Sequence, residues 1–574
     1  VTADDAAPAA GADASGAGRR SGAGASGETS SGGGEGVVAT RNRNATVMAV
    51  FTAVSRVSGF ARIVVVAAVL GTSYLGNTYQ SANTIPNILF ELFAAGVLQS
   101  VLIPIMVDAV DGHSHREAEE TAGVVLGAML TLLAAVVAAG LVAGTWIMEM
   151  LVSGVDDAAV RAAEVELGTF LLWFFLPQVL FYAASMVAAA VLNATGHFWQ
   201  PVFAPTVNNV VVIGTYLLFG AMRGGQPPSL DLTTTEKLVL AVGTLLGVVA
   251  FSAVPVIAAW RHGFHLRPVF RFGHPVLRRL ARQGAWAAGY LGASQALLVA
   301  VLYLANGSEG GVVVYQLAYV LFMLPVSLFA VPVFTTAFPD LTRFARKQQW
   351  HDFGDEVGRT VRSVCLFTIA STGALAALSG PIAHVVALGN AEERVIEVAG
   401  AVAGFAVGVP GFALMLLLTR VAYSYQDTRT PTLVNLGVAV LGTVLMAVLV
   451  SVVSDVDRVT ALGAGYGAAQ LLGAAVLAGA IRSHLHRAGS RIPTVALPVG
   501  RDLAATAVAA VAVYAAVRSL PEPGVAAAVG LCVAGAAVLA GLLLVVLRLL
   551  GGPSPARTLR SLGGDPGRIP AGAS

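Results

Sequence analysis

The sequence predicts an all-α polytopic membrane protein, and three observations carry that prediction. Hydrophobic residues make up 56% of the 574-residue chain and charged residues only 11%, less than half of the roughly 25% expected of a soluble globular domain. Mean hydropathy is +0.77. Beyond residue 45, apolar windows recur almost to the end of the chain, many of them near the ~20 residues that cross a ~30 Å hydrocarbon core as a helix. Backbone in lipid must satisfy its own polar groups, so these windows read as helices. The formal net charge of +2 selects no class of partner, and nothing in it suggests nucleic acid. Cys365 and Cys532 both fall in apolar spans. They are too few and too far apart for a disulfide framework or a metal site, and read as packing residues.

Residues 1–45 are rich in Gly, Ala and Ser with almost no large apolar side chains. Such a segment buries too little surface to offset its ordering entropy, so a disordered cytoplasmic extension is expected. It lacks the charged-then-apolar pattern of a cleavable signal peptide. Polar, Gly and Pro breaks then divide the apolar region into fourteen expected spans: 46–70, 77–108, 121–151, 167–193, 201–221, 238–259, 284–306, 311–338, 363–390, 396–422, 431–453, 460–481, 502–518 and 524–549. Residues 550–574 form a short Gly/Pro/Arg tail.

Lys and Arg test that count, because cytoplasmic segments should be enriched in them. With the N-terminus inside, about 25 fall on the cytoplasmic side and about six outside, the outer set being Arg161, Arg223, Lys237, Arg394, Arg458 and Arg518. An odd number of spans would scramble this segregation. Both termini are therefore expected in the cytoplasm of a cell with this protein in its plasma membrane.

A faint repeat runs through the spans. Pro86-Asn-Ile-Leu-Phe90 in span 2 has a counterpart in Pro325-Val-Ser-Leu-Phe329 of span 8, and Pro205-Thr-Val-Asn-Asn209 of span 5 in Pro431-Thr-Leu-Val-Asn435 of span 11. Both pairs lie six spans apart, and an even offset preserves orientation, as in a parallel repeat. Two six-helix lobes are expected, 46–259 and 260–481, with residues 482–549 as an appended helix pair.

Polar residues inside spans mark candidate sites. Arg56 and Arg62 lie in the first span, where each would cost roughly 2.5–3.5 kcal/mol at the bilayer centre. They point to an anion, and a diphosphate suits the planar guanidinium fork. Six residues apart, they stand about 120° apart on an ideal helix, and flexibility at Ser58-Gly59 is one way to bring both to one site. Asn77, Gln80, Asn83, Thr84, Asn87 and Glu91 fall within an arc of roughly 120° on span 2 and are expected to line a cavity. Pro86 is expected to kink that helix, and Pro325 and Pro332 to bend span 8 during gating. Arg420 reads as an interfacial anchor. The chain carries no Gly-x-x-x-x-Gly-Lys-Ser/Thr loop, no His-Glu-x-x-His and no aspartate-rich metal motif, so no enzyme, cofactor or metal is expected.

Four blocks carry a family resemblance: Ser55-Arg-Val-Ser-Gly-Phe-Ala-Arg62, Asn83-Thr-Ile-Pro-Asn-Ile-Leu-Phe-Glu-Leu-Phe-Ala-Ala-Gly96, Leu192-Asn-Ala-Thr-Gly196 with Phe203-Ala-Pro-Thr206, and Tyr423-Ser-Tyr-Gln-Asp427 before Thr430-Pro431. The chain resembles the MurJ/MviN family of lipid II flippases in the multidrug/oligosaccharidyl-lipid/polysaccharide (MOP) exporter superfamily. The resemblance implies two lobes around a central cavity, a C-terminal helix pair forming a groove for a polyprenyl tail, and alternating access. It also implies that Arg56 and Arg62 meet the diphosphate of lipid II. Asn77, Phe90 and Val320 depart from positions where the family often has Asp, Arg and Arg, a less charged cavity that resembles an actinobacterial branch.

The resulting reading is a flippase for an undecaprenyl-diphosphate-linked peptidoglycan precursor, monomeric, with that glycolipid, membrane lipids and cell-wall synthesis proteins as partners. Two other readings stay open at this point. One is an exporter of another polyprenyl-linked glycan, or a drug/cation antiporter, for which Glu91 is the main acidic residue on offer. The other is a non-transporting scaffold for wall synthesis.

Overall fold

The computed structural model describes residues 32–97, 102–112, 115–493 and 495–550. Two compact units divide the chain, Val1–Ala49 and Val50–Ser574. The described part of the first unit is helical from residue 32. The sequence led to an expected disordered extension over residues 1–45; residues 32–45 are helical here, and extending an existing helix gains a hydrogen bond per residue without a new nucleus. The rest of the expected extension, and the tail beyond residue 550, lie outside the described residues.

The described residues form helices joined by turns. The first half runs α1 (Gly32–Leu70), α2 (Tyr74–Val97), α3 (Ile103–Gly112), α4 (His115–Val142), α5 (Gly144–Val152), α6 (Ala158–Phe175), α7 (Gln178–Ala194), α8 (Trp199–Arg223) and α9 (Thr234–Arg261). The second runs α10 (Pro275–Asn306), α11 (Gly311–Pro325), α12 (Val331–Arg346), α13 (Trp350–Ala377), α14 (Ser379–Val386), α15 (Val395–Ala406), α16 (Val409–Ser424), α17 (Arg429–Val450) and α18 (Arg458–Arg487). The last two are α19 (Ala496–Arg518) and α20 (Val525–Leu549). Local chemistry sets many of the ends. Gly71 closes α1 at φ +72°, a conformation glycine adopts without a Cβ penalty. Thr233 and Glu236 form a capping box that opens α9.

Among the described residues, twelve helices or continuous helix pairs are long and apolar enough to cross a membrane, and thirteen if the bent pair Gly389–Ala406 and Val409–Ser424 is one span. The expected fourteen is thus not reached on length and composition. The missing member is the second span. The asparagines and glutamine of α2 lower its hydropathy.

Packing follows the two halves. α9 lies against α7 and α8, α18 against α15, α16 and α17, and α2 contacts α6 and α7 as well as α10 and α11. α19 packs on α13 and α20, with small apolar clusters around Ala509 and Val513 that are separate from the main core. The repeat seen in the sequence reappears as a bond. Asn209 on α8 donates to Ser58 Oγ at 3.0 Å on α1. Asn435 on α17 donates to Ser294 Oγ at 2.9 Å on α10 and to the Tyr290 carbonyl at 2.8 Å.

α18 approaches its neighbours backbone to backbone. Gly463 and Gly467 face Gly404 and Gly408, and a Cβ placed on Gly467 would stand 2.7 Å from the Gly408 Cα. Small residues at four-residue spacing allow this approach. It places the intervening Tyr466 against Phe405 and Phe412.

Candidate functional site: a polar cavity between the two halves

A cavity of about 500 Å³ lies among α1, α2, α10, α11, α16, α17 and α18. Its two walls differ. From the first half come Arg62, Ile63, Gln80, Asn83, Thr84 and Asn87; the second half supplies every aromatic residue of the lining, among them Tyr290, Tyr319 and Tyr466.

The polar face of α2 is held in place from several directions. Gln80 Nε2 donates to Gln316 Oε1 across the cavity. Thr84 Oγ1 donates to the Gln80 carbonyl at 2.7 Å, and Asn87 Nδ2 to the Asn83 carbonyl at 2.8 Å. The Tyr182 hydroxyl reaches Asn87 Oδ1 at 3.4 Å. Deeper in the first half, the Tyr216 hydroxyl donates to Tyr79 at 3.0 Å and Tyr79 meets Thr244 Oγ1 at 2.6 Å, fixing α2 to α8 and α9.

The structure distributes the expected site residues unevenly. Arg62, Gln80, Asn83, Thr84 and Asn87 line the cavity. Arg56 is exposed on α1 and Glu91 is exposed on α2, and neither is part of the lining. Asn77 is fully buried one turn beyond the lining. Its Nδ2 donates to the Ser308 carbonyl at 2.8 Å and its Oδ1 accepts from the Val312 N–H at 2.9 Å, which caps the start of α11 from another helix. Around it, Asn306 Nδ2 donates to Ser81 Oγ at 2.9 Å, Asn390 Nδ2 to the Val69 carbonyl at 3.0 Å, and Arg458 to the Gly307 carbonyl at 2.5 Å. Arg394 pairs with Glu309 and Glu397, each at 2.9 Å. This end of the cavity is a tie between the halves.

The expected kink residues lie in different settings. α1 runs as continuous helix through Gly59, where an added Cβ would meet only Asn209 Nδ2 at 3.6 Å. Pro86 sits inside an unbroken α2. Between Pro325 and Pro332 the helix opens into a π turn, Val326–Ala330, before α12 resumes. A proline at residue 332 cannot donate to residue 328, so the ladder widens there.

Among the described residues Arg62 is the only charged one in the lining. Among the described residues it has no carboxylate partner. Val320 lines the opposite wall, and Phe90 packs against Tyr182 with centroids 4.5 Å apart and ring planes tilted by 42°. Sequence reasoning missed Gln295, Gln316, Gln470 and the tyrosines of the second half. The one available signal was an isolated amide in each of three apolar spans.

The profile of the family described as Lipid II flippase MurJ matches residues 66–532. That match begins beyond Arg56 and Arg62. The chain is 26% identical over 474 residues to the "Probable lipid II flippase MurJ" of Rhizobium meliloti (strain 1021), covering 82% of this chain and 85% of the relative. It is 23% identical over 419 residues to the "Lipid II flippase MurJ" of Burkholderia cenocepacia, covering 72% and 79%. Among solved structures it is similar to "Lipid II flippase MurJ, inward closed conformation", with a TM-score of 0.68 at 16% identity, over 88% of this chain and 99% of that one. It is also similar to an inward-facing multidrug resistance MATE family transporter of the MOP superfamily, TM-score 0.63 at 14% identity, over 78% and 99%.

Proposed function

The chain belongs to the lipid II flippase MurJ family, and from that premise we propose that it carries an undecaprenyl-diphosphate-linked peptidoglycan precursor from the cytoplasmic to the outer leaflet, with Arg62 as the diphosphate ligand. One observation supports the assignment of the site: among the described residues, the single charge lining the cavity is a guanidinium without a carboxylate partner. Its fork matches phosphate oxygens with two parallel charge-assisted hydrogen bonds, and it stays protonated throughout. Gln80, Asn83 and Asn87 add neutral donors on the same wall. Arg56, exposed on the same helix, meets the head group outside the cavity as it arrives.

A volume of about 500 Å³ falls within the range of roughly 300–1,000 Å³ that suits a drug-sized ligand. It accommodates a diphosphate and the sugars next to it rather than a whole glycopeptide head. The polyprenyl tail stays in lipid and the peptide stays at the mouth. Transport requires the opposite end to open, which means separating Asn77 from Ser308 and Val312. The π turn between Pro325 and Pro332 is the element that absorbs the bend. Both termini lie in the cytoplasm of a plasma-membrane monomer, and an inside-negative potential favours outward movement of an anionic head by about 2.3 kcal/mol per charge per 100 mV.

Complementation tests this reading. In a strain depleted of its own lipid II flippase, the wild-type chain should restore growth and relieve accumulation of the precursor. Arg62→Ala should insert normally and fail to do either. A normally expressed, fully active Arg62→Ala would remove the diphosphate role.

A further inference from the structure

The two walls of the cavity offer different chemistry. On the second-half wall Tyr319 packs beside Tyr315 with centroids 5.5 Å apart and meets Tyr466 edge-on at 6.5 Å. Phe322 and Phe405 stand behind these rings and are 1% exposed, so packing accounts for them. It does not account for the amides beside them. Gln470 is 4% exposed and lines the cavity, and its Oε1 has no hydrogen-bond partner. Gln295 Oε1, also in the lining, is buried without a partner as well. Buried side-chain acceptors are ordinarily satisfied, so two on one wall call for a donor from outside the chain.

A diphosphate cannot be that donor, because its oxygens are acceptors and belong opposite Arg62. A sugar can. A pyranose presents hydroxyl donors around its edge and a face of C–H bonds, which carry partial positive charge and suit the negative face of an aromatic ring. We propose that the aromatic wall is a saccharide subsite, in which Tyr319 takes the face of a hexose, Tyr466 borders it edge-on to that ring, and Gln470 and Gln295 accept from its hydroxyls. This rests on the flippase reading and adds to it a direction for the head group: diphosphate toward α1 and α2, sugar toward α11 and α18. Selectivity for glycan-bearing over bare polyprenyl diphosphate then resides in the second half.

The test uses the purified full-length chain and two probes, undecaprenyl diphosphate and the same lipid carrying its disaccharide. The wild type should prefer the sugar-bearing lipid. Tyr319→Leu keeps the apolar bulk and removes the ring, and should lower the preference roughly three- to tenfold, the value of one aromatic contact. Tyr319→Phe should retain it. Gln470→Met, which removes the acceptor at similar volume, should lower it as well and gives a second route should the leucine variant fold poorly. Unchanged affinity ratios in folded Tyr319→Leu and Gln470→Met, or a wild type without preference, would overturn the subsite. Loss of binding to both probes in Arg62→Ala concerns only the diphosphate role, so the two proposals fail separately.

Discussion

At Arg62 a guanidinium faces a cavity with no carboxylate partner among the described residues, and its charge is left for whatever enters. Replacing it by alanine should weaken a diphosphate ligand by roughly 10- to 100-fold, the value of hydrogen bonds to a charged group. Arg62→Lys should recover only part of that, since an ammonium lacks the bidentate fork; direct binding of undecaprenyl diphosphate to the purified variants measures both. Asn77 works differently, because both ends of its amide are spent on backbone groups of another helix. Asn77→Ala leaves the buried Val312 N–H and Ser308 carbonyl without this partner, a loss of roughly 1–3 kcal/mol. It should appear as a lower melting temperature in detergent. His197 offers a pH handle outside the spans. Its ring lies 3.7 Å from that of His262, and burial first, then the neighbouring His262, hold its pKa below the usual 6.5. The unfolded chain therefore takes up the proton first, so the stability contributed here is complete above pH of about 6.5 and declines as pH falls toward the lowered native value. Thermal unfolding of the wild type between pH 7.5 and 5 should show this loss, and His197→Asn should reduce it.

At the scale of the element, α2 was legible because lipid forbids unpaired polar groups, so six polar residues within one arc had to face protein or water. An arc fixes direction around the axis and says nothing of position along it. That is why Gln80 to Asn87 line the cavity while Asn77 lies a turn beyond it and Glu91 is exposed. On α1 the angular offset of about 120° between Arg56 and Arg62 was itself legible, and it agrees with Arg56 being exposed while Arg62 lines the cavity. The opposite wall was not legible. Tyr315, Tyr319 and Tyr466 have the composition of an ordinary core, and only the packing of α11, α16 and α18 decides that they border a cavity. That packing depends on glycine. Gly467→Ala would place a methyl 2.7 Å from the Gly408 Cα, backbone that cannot move aside cheaply, at a cost of roughly 1–3 kcal/mol. It should lower the melting temperature. Gly437→Ala on α17, whose Cβ would meet nothing within 4 Å, should not.

Over the whole molecule, one of the two short sequence matches six spans apart, Pro205–Asn209 with Pro431–Asn435, reappears as one bond made twice, Asn209 to Ser58 and Asn435 to Ser294. Pairing α8 with α1 and α17 with α10 in the same way gives each half an equivalent frame, and the cavity lies where the frames face each other. In the proposed function, alternating access exchanges the Asn77 tie at one end for a closure at the other. The sequence could suggest the halves because prolines and asparagines mark helix breaks and interhelical bonds. It could not supply the tie, whose partners are 231 and 235 residues from Asn77 and are backbone groups without a side-chain signature. The central claim is that this chain moves a lipid-linked diphosphate across a bilayer by way of Arg62. Reconstitution of the purified protein in vesicles, with lipid II labelled in one leaflet and its appearance in the other followed over time, measures this directly. The wild-type chain should accelerate translocation well above that of empty vesicles, and equally folded Arg62→Ala should return the rate to the empty-vesicle level. Translocation at the wild-type rate by Arg62→Ala, or none by the wild type, would contradict the account.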